Sequence, residues 1–403
     1  MADSNLSATP PQTISTLPSK PSFWNDPQKR ALVFQILLVI GIGLLLWFIF
    51  SNTLHNLDKR GIKTGFDFLD RPAGFGITQS LIPYTEASTF GRTFLVGLLN
   101  TLLVAGLGII FATILGFTVG VARLSKNWLI SRIALVFIET IRNIPPLLQI
   151  LFWYRAILPL LPGPKDSISL AELFYLHKRG FTVPSPLFEP AFIWTFWAFI
   201  AALILAFIMG RWAKARREKT GEQFPVFWTA LGVIIGLPLI TFFFTGSPLN
   251  WDIPALSGFN FRGGLTVIPE LTALLLALSI YTAAFIAEIV RSGIQSVSKG
   301  QSEAAASLGL RPNRTLQLVI VPQAMRVIIP QLTSQYLNLT KNTSLGVAIG
   351  YPDLVNVFAG TTLNQTGQAV EIIFMTMLVY LVISLIISMF MNWYNKRMAL
   401  VER

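Results

Sequence analysis

Residues able to do chemistry stand at informative spacings in a few places along this chain. Glu139 and Arg142 lie three apart in an apolar run, so one helix face would carry both charges and let them neutralise each other. Pro145 and Pro146 follow, and neither has an N–H to give. The carbonyls of Ile141 and Arg142 are then freed, and a helix must bend or break there. With Gln149 one turn further on, a break beside a charge pair is a way to line a polar cavity inside a membrane. The alternative is a structural pair that only fixes packing. Lys341, Asn342, Thr343 and Ser344 form a second cluster, a cation with amide and hydroxyl neighbours that suits a substrate carboxylate. The plain alternative there is a lysine snorkelling to the surface. Glu288 and Arg291, again three apart at the end of an apolar run, read as a structural and gating pair.

Other chemistries have little to rest on. The 403 residues include no cysteine, which removes disulfides and thiolate metal sites, and the two histidines, His55 and His177, are too far apart for a His-based zinc site. No G-x-x-x-x-G-K-[ST] stretch is present to cradle ATP phosphates, and no Ser/His/Asp arrangement stands out. An enzyme reading therefore has little to rest on. The net charge of +12 is scattered through short loops between long apolar runs, which disfavours nucleic acid as a partner.

The elements that must hold these residues are membrane helices. The chain is 53 % hydrophobic and 12 % charged, with a mean hydropathy of +0.61. A soluble domain of this size cannot hide so much apolar surface. Runs long enough to cross about 30 Å of hydrocarbon fall near 31–50, 93–119, 132–160, 191–210, 224–245, 268–290, 327–346 and 368–393. The expectation is an all-α integral membrane protein of about eight spans. Residues 1–30 read as a disordered cytoplasmic tail, 31–50 as a leading helix and 51–92 as a folded external segment. Residues 93–393 form the transmembrane domain, with an insertion at 161–267 and a polar loop at 291–326, and 394–403 is a short tail. Nineteen Lys and Arg residues fall in the set of segments that includes both termini, against nine in the opposite set. The positive-inside rule then places both termini in the cytoplasm.

That orientation puts "GQSEAAASLGL", residues 300–310, on the inner side. It reads as a short helix with Glu303 in its first turn and Gly309 as a left-handed stop, ahead of Pro312, which the same helix cannot include. The alanines leave a thin surface that another protein can approach closely. Glu303-Ala304-Ala305, Gly309, Val319 and Pro322 resemble the EAA loop of binding-protein-dependent ABC importer permeases. "IETIRNIPPLLQILFWY", "LSIYTAAFIAEIVRSGIQSVSKGQSEAAASLGL" and "VPQAMRVIIPQLTSQYLNLTKNTSLGVAIGYPDL" are similar to the polar amino acid uptake permeases. The insertion and "GFNFRGGLTVIPE" resemble the larger general L-amino acid and glutamate/aspartate-type members.

The resemblance implies a five-helix type I importer core at 93–119, 132–160, 268–290, 327–346 and 368–393, with 31–50 as an addition and 191–245 as a two-helix insertion. It implies that Glu303, Ala304, Ala305, Gly309 and Pro322 couple the chain to an ABC ATPase subunit dimer. ATP and Mg would sit on that dimer, and no cofactor on this chain. The other implied partners are a second permease, typically a similar heterologous one, and a periplasmic amino-acid-binding protein. The implied function is import of polar or general L-amino acids across the bacterial inner membrane by a multi-pass, non-catalytic subunit. The rival reading is an ion-gradient-driven secondary transporter, against which stand the absence of a visible internal repeat and the carboxylates gathered towards helix ends.

Overall fold

The computed structural model describes residues 26–398 apart from 60, 62 and 63. Most of the expected N-terminal tail and the last five residues lie outside that description. The described chain divides into two compact units, one up to residue 65 and one from residue 66 onward.

The first unit holds one helix, α1 (Pro27–Lys59), started by Asp26, whose carboxylate accepts from the backbone N–H of Gln28 at 3.0 Å. None of its described side chains is buried. It outruns the expected span at both ends, so residues 27–30 and 51–59 belong to the helix rather than to a tail or an external segment.

The second unit is mostly helical. Its elements are α2 (Phe90–Arg123), α3 (Trp128–Arg142), α4 (Pro146–Leu151), α5 (Phe192–Thr220), α6 (Val226–Phe244), α7 (Pro269–Gln295), α8 (Lys299–Ser307), α9 (Pro312–Thr315), α10 (Val321–Asn342), α11 (Leu363–Thr366) and α12 (Ala369–Met398). Seven helices among the described residues are long and apolar enough to cross a membrane, or eight if the broken pair of α3 and the helical stretch from α4 to Leu160 counts as one. α12 runs through residues 394–398, which were expected in the C-terminal tail.

α7 is the centre. In its apolar window 67 % of residues are buried, against 0–28 % in the other apolar spans. α2 lies along it through small residues: a Cβ on Gly116 would stand 2.6 Å from Ile286 Cβ, and one on Gly120 2.7 Å from the Ala287 carbonyl. Dropping side chains at such positions lets two backbones meet where lipid offers no hydrophobic drive. α10 closes the other side of α7, with Ile328, Ile329 and Leu332 packed against Ile286, Ile289 and Val290.

Outside this helical frame the chain is tied down by polar groups. Asn100 on α2 donates to the carbonyls of Gln79 and Pro352 at 2.9 Å each, and the Tyr351 hydroxyl donates to the Asn100 carbonyl at 3.1 Å. Phe68, from the expected external segment, is fully buried beside Phe90, Leu354 and Phe358.

The insertion corrects the all-α expectation. It carries β1 (Ile168–Leu170), β2 (Phe174–His177), β3 (Gly180–Val183), β4 (Ser185–Phe188), β5 (Leu249–Asp252), β6 (Ala255–Ser257), β7 (Asn260–Arg262) and β8 (Leu265–Val267). They form an antiparallel sheet in the order β1-β2-β3-β8, a hairpin β6-β7, and an antiparallel pair β4-β5 whose strands are joined through α5 and α6. His177 is a strut in that sheet. Its Nδ1 accepts from the Arg179 N–H at 3.2 Å, which leaves Nε2 to donate to Thr182 Oγ1 at 3.2 Å. Burial, with Arg179 adding to it, pushes the imidazole pKa down, so the ring is neutral.

Candidate functional site

The helix that was expected to break does break. α3 ends at Arg142, Pro145 stands outside the next helix, and Pro146 opens α4, with the two axes bent by 104°. Gln149 repairs the damage. Its Nε2 donates to the freed Ile141 carbonyl at 2.9 Å and to the Ile144 carbonyl at 3.0 Å, and the side chain is buried. Gln149 is therefore a staple across the break, and it is not among the residues that line the cavity described next.

The pairing of Glu139 with Arg142 is also corrected: the two form no ion pair among the described residues. Arg142 places its guanidinium carbon 5.2 Å from the centre of the Phe285 ring on α7, a cation–π contact. Glu139 is exposed, and its carbonyl accepts from Asn143 Nδ2 at 2.6 Å. The i,i+3 spacing permitted a local pair, but the aromatic face on the neighbouring helix holds the arginine.

Arg142 opens onto a cavity of about 300 Å³ between α3, α7 and α10, lined also by Phe285, Glu288, Ser292, Gln331, Ser334 and Gln335. Glu288 and Arg291 make the expected pair, with Arg291 Nε donating to Glu288 Oε2 at 2.9 Å and Nη2 to Oε1. Sequence reasoning missed the α10 contribution. Gln331, Ser334, Asn338 and Lys341 recur at three- and four-residue intervals, which is one helix face. All four are exposed. The helical run that carries them, Pro312–Ile349, has the lowest hydropathy among the apolar spans, 1.2 against 2.1–2.8. Thus Lys341 stands at the end of a polar stripe. Its neighbours behave otherwise. Thr343 is buried and donates to the Thr340 carbonyl at 2.8 Å, Ser344 donates to the Lys341 carbonyl at 2.8 Å, and Asn342 is half-buried.

The second surface is α8. Gly309 has φ +75°, its N–H donates to the Ala306 carbonyl at 2.9 Å, and the Leu310 N–H reaches back to Ala305 at 3.1 Å. This is the left-handed stop expected from sequence. Glu303, however, is the fifth residue of the helix and stands in its second turn, because the helix starts earlier, at Lys299. Its placement there withdraws the first-turn dipole argument. Ala305 alone of the three alanines is buried; Glu303, Ala304, Ala306 and Leu308 face outward, the last 81 % exposed. Gln323 Nε2 donates to Gln301 Oε1 at 3.1 Å and ties α8 to the start of α10.

The surrounding segment 291–326, expected as a loop, is mostly helical. α7 continues to Gln295, and from Pro312 the chain winds without interruption into α10. Pro322 cannot donate one turn back, and the turn before it, Leu316–Ile320, is wound as a π-helix. One residue here gave no sequence signal. Arg326 leaves Nε and Nη2 buried with no acceptor among the described residues.

Comparison with known proteins follows this geometry closely. Residues 202–400 match the family of binding-protein-dependent transport system inner membrane components. A putative amino-acid ABC transporter permease of Escherichia coli K12 is 56 % identical over 96 % of this chain and 99 % of its own length. The general L-amino acid transport system permease of Rhizobium johnstonii is 50 % identical over 97 % of this chain and 99 % of its own. A probable glutamine ABC transporter permease of Bacillus subtilis is 39 % identical, over 42 % of this chain but 83 % of its own length.

Proposed function

The chain belongs to the amino-acid permeases of binding-protein-dependent ABC importers, and on that premise we propose that it forms one half of a two-subunit path for an amino acid into the cytoplasm. The observation that carries this reading is the exposed polar stripe of α10. Amide, hydroxyl and ammonium groups turned to lipid cost several kcal/mol each. A second permease, identical or similar, laid against α3, α7 and α10 turns the stripe into the wall of an enclosed path. Lys341 and Arg142 then offer cations to a substrate carboxylate, with Gln331, Ser334 and Asn338 supplying hydrogen bonds between them.

In this reading the chain makes eight spans, with α3 and α4 one broken span and both termini cytoplasmic. The insertion lies outside the membrane apart from α5 and α6. α8 then faces the cytoplasm and offers Glu303, Ala304, Ala306 and Leu308 to an ATPase subunit dimer, which binds ATP and Mg. A soluble binding protein delivers the amino acid from outside the bacterial inner membrane. ATP-driven closure of the ATPase dimer carries α8 with it, and rigid-body motion of the helices exchanges outward for inward access.

The chain has no cysteine, so Ser334→Cys introduces a single reporter. Reconstituted with its ATPase and binding protein, that variant is expected to lose reactivity to a water-soluble maleimide when amino acid and ATP are supplied. Labelling indifferent to both would remove α10 from the path. Uptake that survives a Walker-defective ATPase and collapses with an ion uncoupler would establish an ion-driven carrier instead.

A further inference from the structure

The α5–α6 hairpin stands apart from the transport machinery. α6 has no buried residue, and α5 buries only Ala202 and Ala213, so the rest of the chain covers little of either helix. Their shared polar end carries Arg211, Lys214, Arg216, Arg217 and Lys219 against Glu218 and Glu222. Arg216 pairs with Glu222 at 2.6 Å, and Lys214 meets Glu218 only at 3.9 Å with both side chains largely exposed. Arg211, Arg217 and Lys219 have no carboxylate partner among the described residues.

Lys214 and Arg217, one turn apart, line a cavity of about 250 Å³ between the two helices, with Gly210, Ala213, Gln223 and Val226. Gly210 and Ala213 keep the helix surface low there, so a bulky anion can come close. Val226 opens α6, whose first turn has no side-chain cap. Phe207, one turn before Arg211 on α5, and Phe227 and Trp228 in the first turn of α6 are 64–71 % exposed. Trp212 packs on Phe224 with ring centres 5.4 Å apart, and the Arg216 guanidinium carbon lies 5.4 Å from the Trp212 ring centre. Aromatic rings beside cations at a helix end mark the depth where headgroups sit.

We propose that this cavity is a binding site for the phosphate headgroup of an anionic phospholipid, with Lys214 and Arg217 on the phosphate and Phe207 and Phe227 along the acyl chains. Clusters of cations just beyond a membrane helix draw anionic lipid in this way. The site lies at the water-facing end of the hairpin for either insertion of the chain; only its assignment to the inner leaflet rests on the orientation proposed above.

The test is relative lipid association of the full chain in vesicles, using spin-labelled phosphatidylglycerol and phosphatidylcholine. The preference for phosphatidylglycerol should fall by about tenfold or more in Lys214→Gln/Arg217→Gln, since each such cation is worth about fivefold. Lys126→Gln, an exposed cation elsewhere, should leave it unchanged, and native mass spectrometry should find one fewer anionic lipid retained by the double variant. The proposal is overturned by an unchanged preference, by an equal loss in Lys126→Gln, or by displacement of the lipid with inorganic phosphate alone. It is equally overturned if the double variant keeps its lipid preference and loses its ATPase subunit, which would make the patch a protein contact. None of these outcomes bears on whether the chain transports amino acids.

Discussion

Replacing Gly309 isolates the contribution of one backbone angle to the coupling proposed for α8. The residue has φ +75°, and a Cβ added to it would meet nothing within 4 Å. Gly309→Ala therefore brings no clash, only the cost of a left-handed L-residue, about 1–2 kcal/mol. That strain falls on the turn that ends α8 through the bonds from Gly309 to Ala306 and from Leu310 to Ala305. At about 1.4 kcal/mol per factor of ten, the population of correctly set α8 drops by roughly five- to thirtyfold relative to a re-wound turn. Asparagine tolerates the left-handed region better than alanine, and valine tolerates it worst. The expected order of coupling is Gly above Asn, Ala and then Val, with membrane insertion unchanged. The assay is ATP hydrolysed per amino acid imported, both measured in the same proteoliposomes at a fixed amount of ATPase. An Asn variant that fails as badly as Ala, or an Ala variant that imports at the wild-type ratio, refutes the reasoning.

Other expectations follow from individual side chains. Gln149→Leu keeps volume but removes two hydrogen bonds to part-buried carbonyls, each worth about 1 kcal/mol, so the unfolding temperature in detergent should fall, and Gln149→Glu should do no better because it adds acceptors where donors are needed. Burial pushes the Asp353 carboxyl from 3.8 up to about 7. A raised carboxyl favours the folded state below its unfolded pKa, and that contribution is lost as pH climbs towards 7. Over about three pH units at about 1.4 kcal/mol each, this is at most about 4 kcal/mol. Asp353→Asn keeps an oxygen for the Asn356 N–H, which Oδ1 accepts at 2.8 Å, and should flatten the decline in melting temperature between pH 4 and 7. A slope unchanged in that variant would place the titration elsewhere. Lys341→Met should lower uptake while leaving assembly with the ATPase intact, and Glu303→Lys should do the reverse of a stability defect, inserting normally but importing little. Uptake kinetics and copurification separate the two effects.

Much of this molecule is written locally. About twenty apolar residues in a row announce a span regardless of context, and the Pro145-Pro146 step announces a break, because both depend only on backbone chemistry. The stop at Gly309 was equally legible. What eluded sequence reasoning was the choice between rival partners. Arg142 satisfied a local rule with Glu139, yet Phe285, distant in sequence, holds it. Gln149 looked like a cavity residue because nothing in a linear reading shows which carbonyls a fold strands. The insertion strands were hidden for another reason. A search for long apolar windows averages away the period-two alternation of "FYLHKRGFTV", whose two-residue turn at Lys178 and Arg179 pairs His177 with Gly180. The α10 stripe was missed because Gln331, Ser334, Asn338 and Lys341 are far enough apart that only the helix gathers them.

The seam between α2 and α7 has a mechanical consequence. At Gly116 and Gly120 the α2 backbone takes the Ile286 and Val290 side chains and the Ala283 and Ala287 carbonyls directly against it, so α2 has no side chain of its own there to re-pack. α7 leads into α8 through only three residues, 296–298, which makes α8 a handle on that pair of helices. On the coupling role proposed for α8, a displacement there reaches α7 and α2 together, and the bend between α3 and α4 and the π-wound turn ahead of α10 are the breaks in regular helix where the chain can yield. A tight seam on one side and irregular turns on the other is the arrangement that the proposed rocking motion needs.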